Sequence, residues 1–262
     1  MKFDFPDAEV KAGSYEAGLL ERLDPEKLPK HVAVIMDGNG RWAARRRLPR
    51  IEGHRRGATS VRKIVEDCRR LGIGVLTIYA FSVENWKRPQ KEIDALMGML
   101  SEFVRKEVKT LVKNGIRFRP FGRWRALPSR TVADLEWAVE ETTDCDKMIF
   151  QVALNYGGRT EIVDACRQVA EDCLLGNLNS EEINEETIRQ RLYSPNVPDP
   201  DLLIRTSGEM RVSNFLLWEI AYAELYITEI HWPDFRLRHL LEALVDFQRR
   251  ERRFGGLGGE GK

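Results

Sequence analysis

The sequence predicts a single α/β domain on a central, mainly parallel six-stranded sheet flanked by helices. Three observations lead there. Short, continuous apolar runs recur along the chain, segments with three- and four-residue apolar spacing separate most of them, and clusters of Gly, Asn, Ser and Arg follow several of the runs. A strand buried on both faces reads as an unbroken apolar run, and strands that alternate with helices come back parallel. The 262 residues, 42% of them apolar, are enough for a sizeable core, and no linker divides the chain.

The first run, 31–36, stops at Asp37-Gly38-Asn39-Gly40-Arg41-Trp42. That layout suits a phosphate: glycine lets backbone approach an anion, Arg41 adds a fixed fork of donors, and Asp37 can hold a divalent cation. The alternative is a turn whose Asp caps a helix. Neither GxGxxG nor GxxxxGK[ST] is present there, which disfavours a dinucleotide fold or a P-loop. Arg41, Arg45, Arg46, Arg47, Arg50, His54, Arg55 and Arg56 then crowd the next turns, opposed by Glu52. Arg45 to Arg47 read best as solvated, because consecutive helical side chains cannot share one ligand.

Ala58, Val61, Ile64, Val65, Cys68 and Leu71 mark a helix closing at Gly72, and the strand 75–81 follows, ending in Phe81-Ser-Val-Glu-Asn85-Trp86-Lys-Arg88. Ile93 to Leu111 form a long amphipathic helix before Asn114-Gly115. Its apolar face is expected to pack in the core or to line an apolar cavity. Strand 116–121, a helix marked by Val132, Leu135, Ala138 and Val139, and strand 148–154 come next, the last ending in Asn155-Tyr-Gly-Gly-Arg159. A fourth helix carries Ile162, Val163, Cys166, Val169 and Ala170. Strand 201–205 runs into Arg205-Thr-Ser-Gly-Glu-Met-Arg211-Val-Ser213-Asn214, and a sixth strand is placed at 224–228. In such sheets ligands gather beyond the carboxyl ends of the strands, so these polar clusters converge on one edge and suit a ligand with more than one phosphate.

The net charge of +1 is too low for a dedicated nucleic-acid binder. Charges in the first residues argue against a signal peptide, and no apolar run approaches the ~20 residues of a membrane span, so a cytoplasmic protein is expected. The four cysteines show no CxxC pairing and read as reduced thiols.

Taken together the blocks resemble the cis-prenyltransferases over residues 28–256. The resemblance is carried by His31-Val-Ala-Val-Ile-Met-Asp-Gly-Asn-Gly-Arg-Trp, Gly53-His54, Tyr79-Ala-Phe-Ser-Val-Glu-Asn-Trp-Lys-Arg-Pro, Asn155-Tyr-Gly-Gly-Arg, Asp201-Leu-Leu-Ile-Arg-Thr-Ser-Gly-Glu, Ser213-Asn-Phe-Leu-Leu-Trp and Ala221-Tyr-Ala-Glu-Leu-Tyr. The DDxxD motifs of trans-prenyltransferases are absent. The resemblance implies an N-terminal extension (1–27), a catalytic domain (28–256) with a hydrophobic tunnel, and a Gly-rich tail (257–262).

It further implies Mg²⁺-dependent condensation of isopentenyl diphosphate with an allylic diphosphate, such as farnesyl diphosphate, to a polyprenyl diphosphate, with undecaprenyl diphosphate as the specific expectation. On this resemblance Asp37 holds Mg²⁺ against the allylic diphosphate, which Gly38, Asn39, Gly40, Arg41, Arg50 and His54 bind. Arg205, Arg211, Val212 and Ser213 take isopentenyl diphosphate, and Glu224 joins the metal site there. Ser82, Val83, Glu84, Asn85, Trp86 and Arg88 lie between, Asn85 being the candidate for proton removal, though an amide more plausibly orients a water or a diphosphate oxygen. Trp42 and Trp86 are ligand contacts or core aromatics. Glu224, among apolar neighbours, needs a metal or an arginine as partner.

Met210 and Val83 depart from the pattern of the bacterial enzymes, each standing where a polar residue is expected. Arg253-Phe254-Gly255 matches a tail that reaches the partner subunit, so a homodimer is implied, with transient membrane association through the product and no nucleic acid. Two other readings are a short-chain or branched-product synthase on the same fold, and nucleic-acid or anionic-membrane binding through the Arg41–Arg56 stripe.

Overall fold

A computed structural model describes residues 3, 5–6 and 9–250. The six expected strands are present: β1 (His31–Ile35), β2 (Val75–Ser82), β3 (Ile116–Phe121), β4 (Met148–Tyr156), β5 (Leu202–Thr206) and β6 (Glu224–Thr228). They pair in the order β3-β4-β2-β1-β5-β6, and every pairing is parallel. The helices are α1 (Tyr15–Arg22), α2 (Asn39–Arg45), α3 (Arg50–Leu71), α4 (Gln90–Lys113), α5 (Ser129–Glu141), α6 (Gly158–Leu174), α7 (Glu185–Arg189) and α8 (Leu237–Phe247).

Strand alternation sorts the core into two halves. Val32, Val34, Leu202, Ile204, Phe150, Val152 and Leu154 face the larger one, with Ile64 of α3, Val104 of α4, Leu135 of α5 and Leu244 of α8. Ala33, Ile35, Leu203, Ala153 and Tyr156 face the smaller one, with Phe215 and Leu216. Each fully buried aliphatic side chain contributes roughly 1.5–3 kcal/mol.

α3 stops where the sequence says it should, because Gly72 takes a left-handed turn at φ 81° and donates its N–H back to Arg69. Three helices were not anticipated, among them the short α7. α8 buries Leu240, Leu241, Leu244 and Phe247. α1 lies in the stretch read as an extension, yet its Leu19 and Leu20, with Leu23, belong to the main core. The Arg253–Gly255 motif and the 257–262 tail lie outside the described residues.

Candidate active site

β1 leads into α2 through Asp37 and Gly38. Gly38 adopts φ 98°, and a Cβ there would stand 1.9 Å from Ser207 Oγ and 2.7 Å from His231 Nδ1, so only glycine fits. The Asp37 carbonyl accepts from Thr206 Oγ1 at 2.7 Å and from the Trp232 N–H at 3.0 Å, which ties the turn to β5 and to the segment after β6. Oδ1 of Asp37 accepts from the Gly38 N–H at 2.6 Å and from Arg41 Nη2 at 3.0 Å; Oδ2 accepts from Arg205 Nη2 at 2.9 Å. Burial alone would raise this carboxyl, but the hydrogen bonds from Arg205 and Arg41 outweigh it and hold the group below the usual carboxylate range.

Arg205 projects from buried β5 with its side chain 5% exposed. Nη1 donates to the Arg211 carbonyl and, at 2.7 Å, to Ser213 Oγ, while Nε has no partner. The following loop holds Ser207, Ser213, Asn214 and Leu216 at positive φ, a conformation that costs non-glycine residues energy and clusters at functional sites. Glu209 of this loop pairs with Arg41 at 2.8 Å and Arg211 at 2.5 Å.

After β2, Asn85 Oδ1 accepts from the Ser82 N–H at 3.1 Å, which leaves its NH₂ as the donor end of this side chain. Trp86 Nε1 donates to Asn155 Oδ1 at 2.7 Å, and Asn214 Nδ2 donates to Glu84 at 2.9 Å, fastening three strand ends together. Arg50 and Arg88 both approach Glu92, at 3.6 and 3.1 Å. His54 stands nearby with a buried, unpartnered Nε2; burial, then the charges of Arg88 and Arg50, lower its pKa to about 4.

These side chains border two chambers. One, of about 260 Å³, is headed by Asp37, Gly38, Asn39, Gly40, Arg50, His54 and Arg88 and runs down between α3, α4 and the sheet over Leu96, Leu100, Phe103, Val152 and Phe150. The other, of about 530 Å³, is polar and carries Ser82, Glu84, Arg205, Ser213 and Asn214. Met36, Asp37, Tyr79, Ala80, Asn85 and Arg88 are common to both. The face of α4 that sequence left between core and cavity is therefore a cavity wall.

Most of the expected site residues meet here, Arg41 and Arg211 through their pairing with Glu209, whereas Trp42, Val83, Trp86, Val212 and Glu224 border neither chamber. Trp42 is buried under Arg46, whose guanidinium lies 4.1 Å from the ring, and it borders neither chamber. Val212 packs against the smaller core. Glu224 lies apart from the chambers: it begins β6 opposite Leu202, at the amino edge of the sheet, and pairs with Arg250 at 2.8 Å. Val83, at the β2 turn, comes close to Gly157.

The basic stripe is likewise divided. Arg41 and Arg50 serve the site, Arg46 pairs with Asp234, and Arg55 pairs with Glu52. Glu209, Glu92 and the Ser207–His231 pair (Oγ to Nδ1, 2.6 Å) were missed; the last joins residues 24 apart and leaves no local signal.

Among the described residues no group of three or more His, Cys, Asp or Glu is placed to hold a metal alone. Asp37, a single carboxylate on the wall common to both chambers, instead suits a hard cation that takes its other ligands from water and phosphate.

Residues 35–255 match the family profile described as "Putative undecaprenyl diphosphate synthase". Isoprenyl transferases from Heliobacterium mobile and Clostridium perfringens are 48% and 46% identical, covering 97% of this chain and 97% and 99% of theirs. Among solved structures, lavandulyl diphosphate synthase from Lavandula x intermedia, in complex with dimethylallyl diphosphate, superposes with a TM-score of 0.86 at 38% identity, over 88% of this chain and 99% of that one. A probable undecaprenyl diphosphate synthase from Campylobacter jejuni gives 0.73 at 34% identity, over 87% and 98%.

Proposed function

Since the chain belongs to the undecaprenyl diphosphate synthase family of prenyl transferases, we propose that it joins isopentenyl diphosphate to an allylic diphosphate such as farnesyl diphosphate, lengthening the chain to undecaprenyl diphosphate. The observation that carries this reading is the shared wall: a head bearing Asp37, Arg50 and Arg88 opens into an apolar corridor and lies beside a second chamber that carries Arg205 and Ser213. A diphosphate with a hydrocarbon tail fits the first, and a diphosphate with a short tail fits the second.

In the reaction the allylic C1–O bond breaks and diphosphate leaves with the electron pair. The C4 double bond of isopentenyl diphosphate attacks C1, and a proton is lost from its C2. Gly38 to Arg41, Arg50 and His54 grip the departing diphosphate, while Arg205, Arg211 and Ser213 fix the attacking molecule, so the reacting carbons are held in contact near Asp37 and Asn85. The NH₂ of Asn85 is a donor and orients the diphosphate oxygen or water that takes the proton. Asp37 would hold Mg²⁺, which would neutralise charge on the leaving diphosphate.

The protein acts as a homodimer in the cytoplasm and meets the membrane through its product. No helix among the described residues is long and apolar enough to cross a membrane. A second reading, a short or branched product, is favoured by the likeness to lavandulyl diphosphate synthase. Incubation with Mg²⁺, labelled isopentenyl diphosphate and either farnesyl or dimethylallyl diphosphate, followed by sizing of the dephosphorylated products, separates them. A ladder ending near eleven isoprene units supports the first reading, one condensation to a ten-carbon product supports the second, and no incorporation removes both.

A further inference from the structure

A third chamber, of about 280 Å³, opens on the other face of the sheet from the apolar corridor. Successive side chains of a strand face opposite ways, so Phe118 and Phe150 line the corridor while their neighbours Arg119 and Gln151, paired across β3 and β4, line this chamber. It has no lining residue in common with either chamber of the active site. A single helical turn, Trp124–Ala126, brings Trp124 and Arg125 to it, and the loop after α7 brings Tyr193 and Ser194.

The charges here are one-sided: two arginines line the chamber and no carboxylate does. Arg119 is half-buried and has no ionic or hydrogen-bonding partner among the described residues. Arg125 lies over the Trp124 ring, 4.2 Å from its centroid, and meets Glu136 only in a loose pair at 3.7 Å, with 71% and 54% of the two side chains exposed. Such a surface pair neutralises little. Two guanidiniums around one small chamber repel each other, and an anion placed between them reverses the sign of that interaction.

The neutral groups are fixed in advance. Gln151 is 3% exposed; its Oε1 accepts from Thr77 Oγ1 at 3.0 Å and its Nε2 donates to Ser194 Oγ at 2.8 Å, which leaves the Ser194 proton to donate to a ligand. The Tyr193 N–H donates to Glu161 at 2.9 Å and its hydroxyl donates to Asp164, so the loop that carries Ser194 is held before any ligand arrives. Phe121, Trp124 and Tyr193 supply aromatic surface beside the charges.

We infer that this chamber is a second ligand site, which binds a small phosphomonoester with a flat apolar body. The phosphate lies between Arg119 and Arg125, whose planar forks match its oxygens, and the body packs on the aromatic side chains. A phosphomonoester carries about −1.5 to −2 charges, which two guanidiniums balance and a lone carboxylate does not. The site stands apart from the prenyl-transfer reading and does not depend on it.

The test takes the full-length protein labelled with 5-fluorotryptophan, assigns the Trp124 resonance by its loss in Trp124→Phe, and titrates phenyl phosphate and, separately, inorganic phosphate. Phenyl phosphate should shift the Trp124 resonance saturably and bind about tenfold or more tighter than inorganic phosphate, the value of burying the ring. Arg119→Met should weaken that binding by about tenfold or more, the value of one hydrogen-bonded charge. Arg125→Met, at an exposed side chain, should do the same and serves alone if circular dichroism shows the Arg119 variant unfolded. A Trp124 resonance that phenyl phosphate does not move overturns the inference, as does equal affinity for the two probes. An affinity unchanged in the folded arginine variants overturns it too, because the probe would then act from elsewhere on the molecule.

Discussion

Asp37 and Arg205 are 168 residues apart in sequence and meet at 2.9 Å above the seam between β1 and β5. From that seam the chain departs in opposite directions, β1 towards β2 on one side and β5 towards β6 on the other. Loops diverging from such a switch point leave a crevice, and the residues that end the two strands face each other across it. The carboxylate and the guanidinium each fix the other's orientation before any ligand arrives.

Asp37→Ala should therefore lower kcat by on the order of 10²–10³, the scale of losing one preorganised electrostatic group. It should also destabilise the fold by about 1–2 kcal/mol, less than a fully buried broken pair because Asp37 is 28% exposed. Steady-state kinetics and urea melts measure the two effects. Unchanged turnover would take the carboxylate out of the mechanism.

Glu209 holds both Arg41 and Arg211, charges that a diphosphate needs. Glu209→Gln should release them and lower the KM for isopentenyl diphosphate by about threefold, the value of a partly exposed ion pair. A raised KM would show that Glu209 positions the arginines rather than competing for them.

His54, with its pKa lowered to about 4 by burial and then by Arg88 and Arg50, is neutral at pH 7. In the folded state it binds fewer protons than the unfolded chain, so its contribution to stability is complete above pH 6.5 and is lost as the pH falls towards 4. Inorganic diphosphate brings negative charge beside it and should raise its midpoint by about one unit or more. NMR titration of the ring protons, with and without diphosphate, reads both states; a free-protein midpoint of 6.5 would mean the ring is solvated.

Asp67 behaves in the opposite sense. Burial, then the charge of Glu9, raises its carboxyl to about 7, only partly offset by Arg70. Here the folded state holds more protons than the unfolded one, so stability falls as the pH rises from 3.8 to about 7. Asp67→Asn should stabilise the protein at pH 8, by at most ~4 kcal/mol, and much less at pH 4. Urea melts at the two pH values decide it, and an equal effect at both would assign the change to packing.

The sheet was legible because strands buried on both faces carry their own signature; all six begin and end within two residues of the apolar runs that mark them. α8 was overlooked although Leu240, Leu241, Leu244 and Phe247 have helical spacing. The place of Glu224 was not legible for a geometric reason. A one-dimensional pattern locates a strand without saying which of its ends a carboxylate occupies, and the first residue of β6 faces the edge away from Asp37. Glu209 stood in the polar cluster after β5, but its pairing with Arg41 depends on the fold bringing residues 168 apart together.

The walls of the apolar corridor are side chains of two helices and three strands, with the backbone set behind them. Its depth can therefore be re-graduated like a ruler, one mark at a time, without disturbing the sheet or the catalytic head. A lineage that needs a deeper or shallower cavity has only to exchange a bulky wall residue for a small one or the reverse, so relatives with the same fold can diverge there while differing at very few positions.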